Sequence, residues 1–195
     1  MNNNPIKAVK RPSKESRGSD AVITEQQHMR LISYADDDFR DFLQLLWLTG
    51  CRPSEIAGLT VEQVKQAVNG VISLQDHKSA HRGKQRLLIL SDEALTICNR
   101  RAENTTGYLF SGINGKLTAN AISGRLSRLS IKAGVRNCIA YGYRHSFATD
   151  ALSKGLPDGH VAALLGHSAT TMLYKHYSHL TARTNLLKEA MKQVR

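Results

Sequence analysis

Two polar stretches interrupt the helical patterning of the chain, and each contains an arginine. In TGCRPSEIAGL, Arg52 follows the helix-ending residue Gly50, and Glu55 lies one turn later, close enough to orient a guanidinium. In YGYRHSFATDAL, Arg144 and His145 open an apolar helix. A guanidinium is planar, always charged and matched to two oxygens of a phosphate. The first stretch also has an ordinary explanation, because Arg52 and Glu55 could form a surface ion pair.

A third stretch, LLGHSATTMLYKHYSHL, contains a histidine and a candidate nucleophile. His167 follows a glycine, and Tyr177 comes ten residues later. A histidine can donate a hydrogen bond to a charged group, and a tyrosine hydroxyl can form a covalent intermediate. The ordinary interpretation is open here too: His167 could be a helix-end residue bonded to backbone groups, and Tyr174 and Tyr177 could be core or rim aromatics.

The histidines and cysteines do not have the spacing of a metal site. No cysteine or carboxylate accompanies His167, His176 and His179 at zinc spacing, so we predict no metal and no cofactor. The chain has three cysteines, which are Cys51, Cys98 and Cys138. They are far apart and odd in number, which favours a reduced, cytoplasmic setting over a disulfide framework.

Helical signals recur along most of the chain and must position these residues. Thr24 is predicted to cap a helix that continues to Tyr34, and Gly50 to end a second helix from about Asp37 to Leu48. Further helices are predicted at 91–104, 118–134, 143–154, 157–165, 168–177 and 181–193. Their predicted starts include Thr118, Ser146 and Pro157, with Gly155 as a stop.

Two short strands are predicted between the helices. Residues 70–76 and 85–90 read as strands joined by the polar, cationic turn HKSAHRGK. The predicted fold class is therefore mainly α with a small antiparallel β-sheet (α+β).

Composition favours a polyanionic partner. The 195 residues are enough for one compact domain and carry a formal net charge of +11. Lysines and arginines that neutralise phosphates release counterions, so this charge favours nucleic acid. Residues 1–21 are polar and basic and read as a linker or arm. No stretch of the sequence is apolar for long enough to span a membrane.

Taken together and in this order, the motifs resemble those of the tyrosine recombinases, the phage integrase family. The resemblance covers roughly residues 22–180 and implies the catalytic-domain fold of that family. The motifs that carry it are GCRPSE around Arg52, DHKS around Lys78, YGYRH before and including His145, LGH ending at His167, and YSHL starting at Tyr177.

The resemblance implies a set of site residues. The implied catalytic residues are Arg52, Lys78, Arg144, His167 and Tyr177, and the implied supporting residues are Glu55, Tyr141 and His145. Lys78 is implied as the general acid, although Lys84 shares the predicted hairpin. Tyr174 lies three residues before Tyr177, and the Tyr-Ser-His-Leu context favours Tyr177 as the nucleophile.

The chain departs from the family pattern at two points. Tyr141 stands where the family's second motif has a histidine, so we expect it to donate a hydrogen bond and not to accept a proton. The alternative is that Tyr141 only packs beside Tyr143. The helical core-binding domain that precedes the catalytic domain in this family is not present in residues 1–195, and we expect this chain to be a piece of a longer integrase.

The function implied is a site-specific DNA recombinase or integrase that cuts and rejoins strands through a 3′-phosphotyrosyl intermediate. The implied partner is double-stranded DNA, bound by a homotetramer of the full-length protein, with this piece alone a monomer. Residues 181–195 are expected to form a helix that docks in trans or on its own domain. The alternatives are a type IB topoisomerase-like enzyme and a DNA-binding module with decayed catalysis.

Overall fold

Helices make up most of the computed structural model, which describes residues 22–74, 86–112 and 115–167. The helices are α1 (Glu25–Tyr34), α2 (Asp37–Thr49), α3 (Pro53–Ala57), α4 (Val61–Lys65), α5 (Asp92–Asn104), α6 (Ala119–Ala133), α7 (Gly142–Ser153) and α8 (Asp158–Leu165). The strands are β1 (Val71–Leu74), β2 (Arg86–Ile89), β3 (Ser111–Gly112) and β4 (Gly115–Lys116). The predicted class, mainly α with a small antiparallel sheet, is confirmed. The predictions for 168–177, 181–193 and the HKSAHRGK turn lie outside the described residues.

Helix α2 is the centre of the main hydrophobic core. It packs against α1, α3, α5 and α7, and its buried face includes Phe42, Leu43 and Leu46. The Asp36 carboxylate accepts a hydrogen bond from the Phe39 N–H at its start, as an N-cap should. At the other end of α2, Thr49 and Gly50 are buried. The helix therefore ends inside the protein, where the first polar stretch begins.

The β1–β2 hairpin is antiparallel and presents an arginine to the core. Leu74 pairs with Arg86 at its open end. Successive side chains of a strand face opposite sides, and Arg86 shares the inward face of β2 with Leu88. Strand β2 also contacts α8, which places this buried arginine beside the last described helix.

Several helix boundaries follow the sequence signals, and one does not. Thr24 and Thr118 cap α1 and α6 as predicted. Ser146 was expected to start a helix, but it lies buried inside α7. Its hydroxyl donates to the carbonyls of Ile23 and Gly142 and accepts from the Ile23 N–H, so it fixes the start of the described chain to α7. The five-residue helices α3 and α4 were not predicted, because one turn is too short for apolar periodicity.

Helices α7 and α8 enclose a second, smaller apolar cluster. Its buried members are Ala148, Ala151, Val161, Ala162 and Leu165. The second polar stretch contributes Tyr143 to the main core and Ala148 and Ala151 to this cluster, and the described start of the third contributes Leu165. No helix among the described ranges combines the length and apolarity needed to cross a bilayer.

A group of ion pairs joins α2 to α5 and α6 on another side of α2. We call it the aspartate–arginine cluster; its members are Asp36, Asp38, Asp41, Arg100, Arg101 and Arg125. Arg101 is its most connected arginine, contacting Asp38, Asp41 and the carbonyl of Leu109. This cluster holds the helices together, as expected for a network of paired charges.

Candidate active site

Arg52 and Glu55 lie at the two ends of the first turn of α3. The Arg52 Nη1 donates to Glu55 Oε1 at 2.7 Å, and the Arg52 backbone N–H donates to Glu55 Oε2 at 3.0 Å. The Glu55 side chain is only 3% exposed, whereas that of Arg52 is 22% exposed. The surface ion-pair interpretation is therefore wrong, because the carboxylate is buried and holds a partly accessible guanidinium.

Arg144 is buried at the start of α7 and bridges two helix ends. Its Nη1 donates to the carbonyl of Gly50 at 3.1 Å, and its Nη2 donates to the carbonyl of Leu165 at 2.6 Å. These carbonyls belong to the C-terminal ends of α2 and α8, which lack intrahelical partners and carry partial negative charge. Among the described residues, these two bonds use two of the five guanidinium N–H groups.

Glycines give the two helix ends their shape. Gly50 has φ +60° and Gly166 has φ +65°, the left-handed conformation that ends helices. A Cβ at Gly50 would lie 2.5 Å from the ring of Phe147, and one at Gly166 would lie 2.6 Å from Arg86 Nε. Both turns therefore need glycine for conformation and for space.

His167 follows the turn that ends α8. Its backbone N–H donates to the Ala162 carbonyl at 2.8 Å, and the Gly166 N–H donates to the Ala163 carbonyl at 2.9 Å, the pair of bonds of a Schellman motif. The helix-end interpretation of His167 is thus correct for its backbone. Its half-buried side chain stays a candidate hydrogen-bond donor at this end of α8.

Tyr141 and His145 lie at the start of α7, beside Arg144. The Tyr141 ring is 5.4 Å from that of His145 and 6.0 Å from the Arg144 guanidinium carbon. Tyr141 is 43% exposed. Tyr143, in contrast, is buried against His28, whose Nδ1 lies 3.3 Å from its hydroxyl. Tyr141 therefore presents its ring beside Arg144, and its role at the site stays a prediction.

Arg86 was missed by sequence reasoning. Its Nη2 lies 3.5 Å from Glu55 Oε2 and 3.4 Å from Cys51 Sγ, and its Nη1 donates to the carbonyls of Leu87 at 2.7 Å and Ala163 at 3.4 Å. One signal was available: strand alternation places Arg86 on the same face as Leu88, so a buried arginine could have been predicted.

These side chains share one electrostatic environment. Burial lowers the pKa of Arg144, and the nearby charge of Arg52 lowers it further. Burial raises the pKa of Glu55, but the charge of Arg86 and the hydrogen bonds of Arg52 outweigh it, so the net pKa is below the ordinary value. Glu55 is therefore ionised at neutral pH. Burial also raises the pKa of Cys51 to about 11, so it is a neutral thiol.

We call Arg52, Glu55, Arg86 and Arg144 the arginine cluster. Within the described part of the chain it combines three guanidinium groups with one carboxylate, and two of its arginines, Arg86 and Arg144, contact the end of α8 that precedes His167. Because a buried excess of positive charge is costly, such a cluster is suited to receive an anion.

Two residues of the predicted site, Lys78 and Tyr177, lie outside the described residues, as do their alternatives Lys84 and Tyr174. Their assignments stay predictions from the motifs, whereas the positions of Arg52, Glu55, Tyr141, Arg144, His145 and His167 are described above.

Comparison with known proteins adds to this geometry. The Phage integrase family matches residues 21–184, which contain the whole arginine cluster. The chain belongs to this family. It is 29% identical over 195 residues to tyrosine recombinase XerD of Neisseria meningitidis, covering 91% of this chain and 65% of that protein. It is 32% identical over 183 residues to tyrosine recombinase XerA of Pyrococcus furiosus, covering 85% and 62%. The chain thus spans less than two thirds of these relatives.

The fold is that of the tyrosine recombinase catalytic domain. A structure of the Tn1549 transposon integrase in complex with a circular intermediate DNA superposes with a TM-score of 0.72 at 21% identity, over 89% of this chain and 66% of that one. These comparisons favour the recombinase interpretation and give no support to the topoisomerase or decayed-module alternatives.

Proposed function

We propose that this chain is the catalytic domain of a site-specific DNA recombinase, which cuts and rejoins strands through a 3′-phosphotyrosyl intermediate. The observation that carries the proposal is the buried guanidinium excess of the arginine cluster in a member of the Phage integrase family. A scissile phosphate is the anion that such a cluster would receive.

The chemistry requires charge stabilisation at the phosphate. The Tyr177 hydroxyl gives its proton to water as its oxygen bonds to phosphorus, while the bond from phosphorus to the 5′-oxygen breaks. Negative charge builds on the nonbridging oxygens, where Arg52 and Arg144 neutralise it and His167 donates a further hydrogen bond. The leaving 5′-oxygen takes a proton from Lys78. The bond energy is conserved in the phosphotyrosyl linkage, and reversal of these steps rejoins a strand.

The proposed partner is double-stranded DNA in the cytoplasm. The net charge of +11 supports contacts with the phosphate backbone. Residues 22–180 would form the catalytic domain, 1–21 a linker or arm, and 181–195 a helix that docks on a neighbouring protomer. The full-length protein would act as a homotetramer, and deletion of 182–195 should then reduce assembly more than cleavage by a monomer.

The experiment that tests the proposal is capture of a covalent adduct. A nicked suicide duplex, which releases a short strand after cleavage, should trap the parent chain on DNA. Tyr177→Phe should form no adduct while keeping its DNA affinity, and Tyr174→Phe should form it normally. Absence of an adduct with the parent chain would contradict the proposed function. Loss of the adduct in Tyr174→Phe, with the adduct kept in Tyr177→Phe, would assign the nucleophile to Tyr174.

A modified leaving group tests the proposed acid. Sulfur in place of the 5′-bridging oxygen leaves without a proton. Lys78→Ala should cleave the ordinary substrate slowly and recover on the sulfur substrate. Recovery in Lys84→Ala instead would assign the acid to Lys84.

A further inference from the structure

Arg86 is a buried cation that no motif explains. It is 4% exposed and occupies an inward-facing position of β2, where the neighbouring position on the same face is Leu88. Its Nε is buried and has no hydrogen-bond partner among the described residues. Such a group is costly to desolvate, and in a purely structural role an apolar side chain would serve as well. The contacts of its guanidinium therefore indicate what the charge does.

The first contact connects Arg86 to Arg52 through Glu55. Glu55 Oε1 accepts from Arg52 Nη1, and Oε2 lies between the Arg52 backbone N–H at 3.0 Å and Arg86 Nη2 at 3.5 Å. Arg86 thus holds the far side of the carboxylate that orients the accessible guanidinium of Arg52. Without this charge, Glu55 would lose a partner that keeps it ionised.

The second contact connects Arg86 to the turn that carries His167. Its Nη1 donates to the Ala163 carbonyl at 3.4 Å, in the last turn of α8. The backbone of Gly166 passes so close that a Cβ there would lie 2.6 Å from Arg86 Nε. The Arg86 guanidinium therefore contacts both Glu55, which orients Arg52, and the turn that carries His167. These two regions are distant in sequence.

We infer that Arg86 is a positioning residue for the strand-transfer site: it orients Arg52 through Glu55 and sets the path of the Gly166–His167 turn. The inference rests on the proposed function for its effect on rate, but its effect on Glu55 is independent of that function. Because Arg86 lies below the surface, we expect it to make no contact with DNA. Its loss should impair the geometry of the site and not the binding of DNA.

The test compares Arg86→Met, which keeps length and removes charge, with Arg86→Lys. Arg86→Met should slow single-turnover cleavage of the suicide duplex at saturating DNA by roughly tenfold to a hundredfold, with an unchanged DNA dissociation constant. Arg86→Lys should recover part of the rate, because it keeps a charge beside Glu55 but cannot make all the contacts of the fork. Rates are expressed per folded molecule, from the folded fraction of each variant.

Arg101→Met is the matched control, since Arg101 is also a mostly buried arginine that contacts a buried carboxylate, Asp41, and a backbone carbonyl. It should lose stability and keep its cleavage rate per folded molecule. The inference is overturned if Arg86→Met cleaves at the parental rate, or if Arg101→Met is slowed equally.

A carboxyl titration separates this inference from the proposed function. In ¹³C NMR of the folded chain, the pKa of Glu55 should rise in Arg86→Met and stay low in Arg86→Lys and Arg101→Met. If the parent forms no adduct, the proposed function fails and the inference is decided by the titration alone. An unchanged Glu55 pKa in Arg86→Met overturns the inference, and a raised pKa supports it.

Discussion

Two groups of ion pairs in the described part of the chain differ in their balance of charge. The aspartate–arginine cluster combines three aspartates with three arginines and joins α2 to α5 and α6. The arginine cluster combines one glutamate with three arginines, and one of these is bonded only to helix-end carbonyls among its described hydrogen-bond partners. The balanced cluster joins helices, whereas the unbalanced one has the excess positive charge that we propose binds a phosphate.

The difference extends to how the arginines are held. Arg101 contacts two carboxylates, which neutralise it. Arg144 is held by partial charges at the ends of α2 and α8, which orient a cation without cancelling it. This arrangement leaves the positive charge of Arg144 without a carboxylate partner among its described contacts, as the proposed function requires. Substitutions in and around the two clusters test this contrast.

Removal of an arginine from each cluster should have opposite consequences. Arg144→Ala should lower single-turnover cleavage roughly a thousandfold or more, because it removes charge stabilisation from the transition state. Arg101→Ala should cost about 3 kcal/mol of stability by leaving Asp41 underpaired, with cleavage per folded molecule unchanged. Chemical denaturation and suicide-substrate kinetics measure the two effects. Equal losses of cleavage would remove the distinction between the clusters.

Gly166→Ala tests whether the turn beside Arg86 needs space as well as a left-handed backbone. Gly107→Ala is the control, because Gly107 has φ +72° and a methyl group added there would have no atom within 4 Å. The control should cost about 1 kcal/mol through backbone strain alone. Gly166→Ala should cost more and should slow cleavage on the order of a hundredfold by displacing His167. Similar stability and rates in the two variants would show that the contact with Arg86 is unimportant.

Tyr141→Phe tests a neutral donor at the edge of the arginine cluster. Loss of a hydrogen bond to a charged group costs about 1.5–3 kcal/mol, so cleavage should slow roughly tenfold to a hundredfold. Tyr34→Phe, at an exposed tyrosine that ends α1, should have no effect. Tyr141→His should stay active and acquire a pH dependence between about 6 and 7.5, since imidazole titrates there. Parental cleavage by Tyr141→Phe would favour a packing role.

Acid should affect the two clusters unequally. The folded pKa of Glu55 is depressed below its ordinary value of 4.5, so its ion pairs add stability above that pH and lose it as the pH falls through the folded pKa. Glu55→Gln should remove this acid-dependent part of the unfolding free energy, on the order of 1 kcal/mol. Asp36→Asn should remove less, because the Asp36 side chain is 65% exposed and solvent screens it. The measurement is the unfolding free energy from denaturant titrations between neutral and acid pH. A larger loss of its pH dependence in Asp36→Asn than in Glu55→Gln would contradict this interpretation.

Local signals in the sequence predicted the elements well. Thr24 and Thr118 have the caps expected of them, and Gly50 ends α2 as predicted, in the left-handed conformation. Ser146 failed as a predicted start because its hydroxyl bonds to Ile23, a residue 123 positions away. A tertiary contact of this kind leaves no local pattern.

The sequence predicts members of the candidate site but not the contacts that support them. Motif order predicts Arg52 and Arg144 as site residues, but the carbonyl partners of Arg144 lie 94 and 21 residues away in sequence. Those partners exist only after α2 and α8 have packed against α7. The burial of Arg86 could have been read from strand alternation, whereas its contact with Glu55 depends on the same packing.

A methylphosphonate substrate tests whether the arginine cluster neutralises the scissile phosphate. Replacing one nonbridging oxygen by a methyl group removes the charge that Arg144 is proposed to stabilise. Adduct formation is measured for Arg144→Ala on matched phosphate and methylphosphonate suicide duplexes, with Arg101→Ala as the control. We predict that Arg144→Ala is inactive on the phosphate and regains adduct formation on the methylphosphonate, while Arg101→Ala shows no such selective gain. Failure of the neutral substrate to restore Arg144→Ala would contradict charge neutralisation by this cluster.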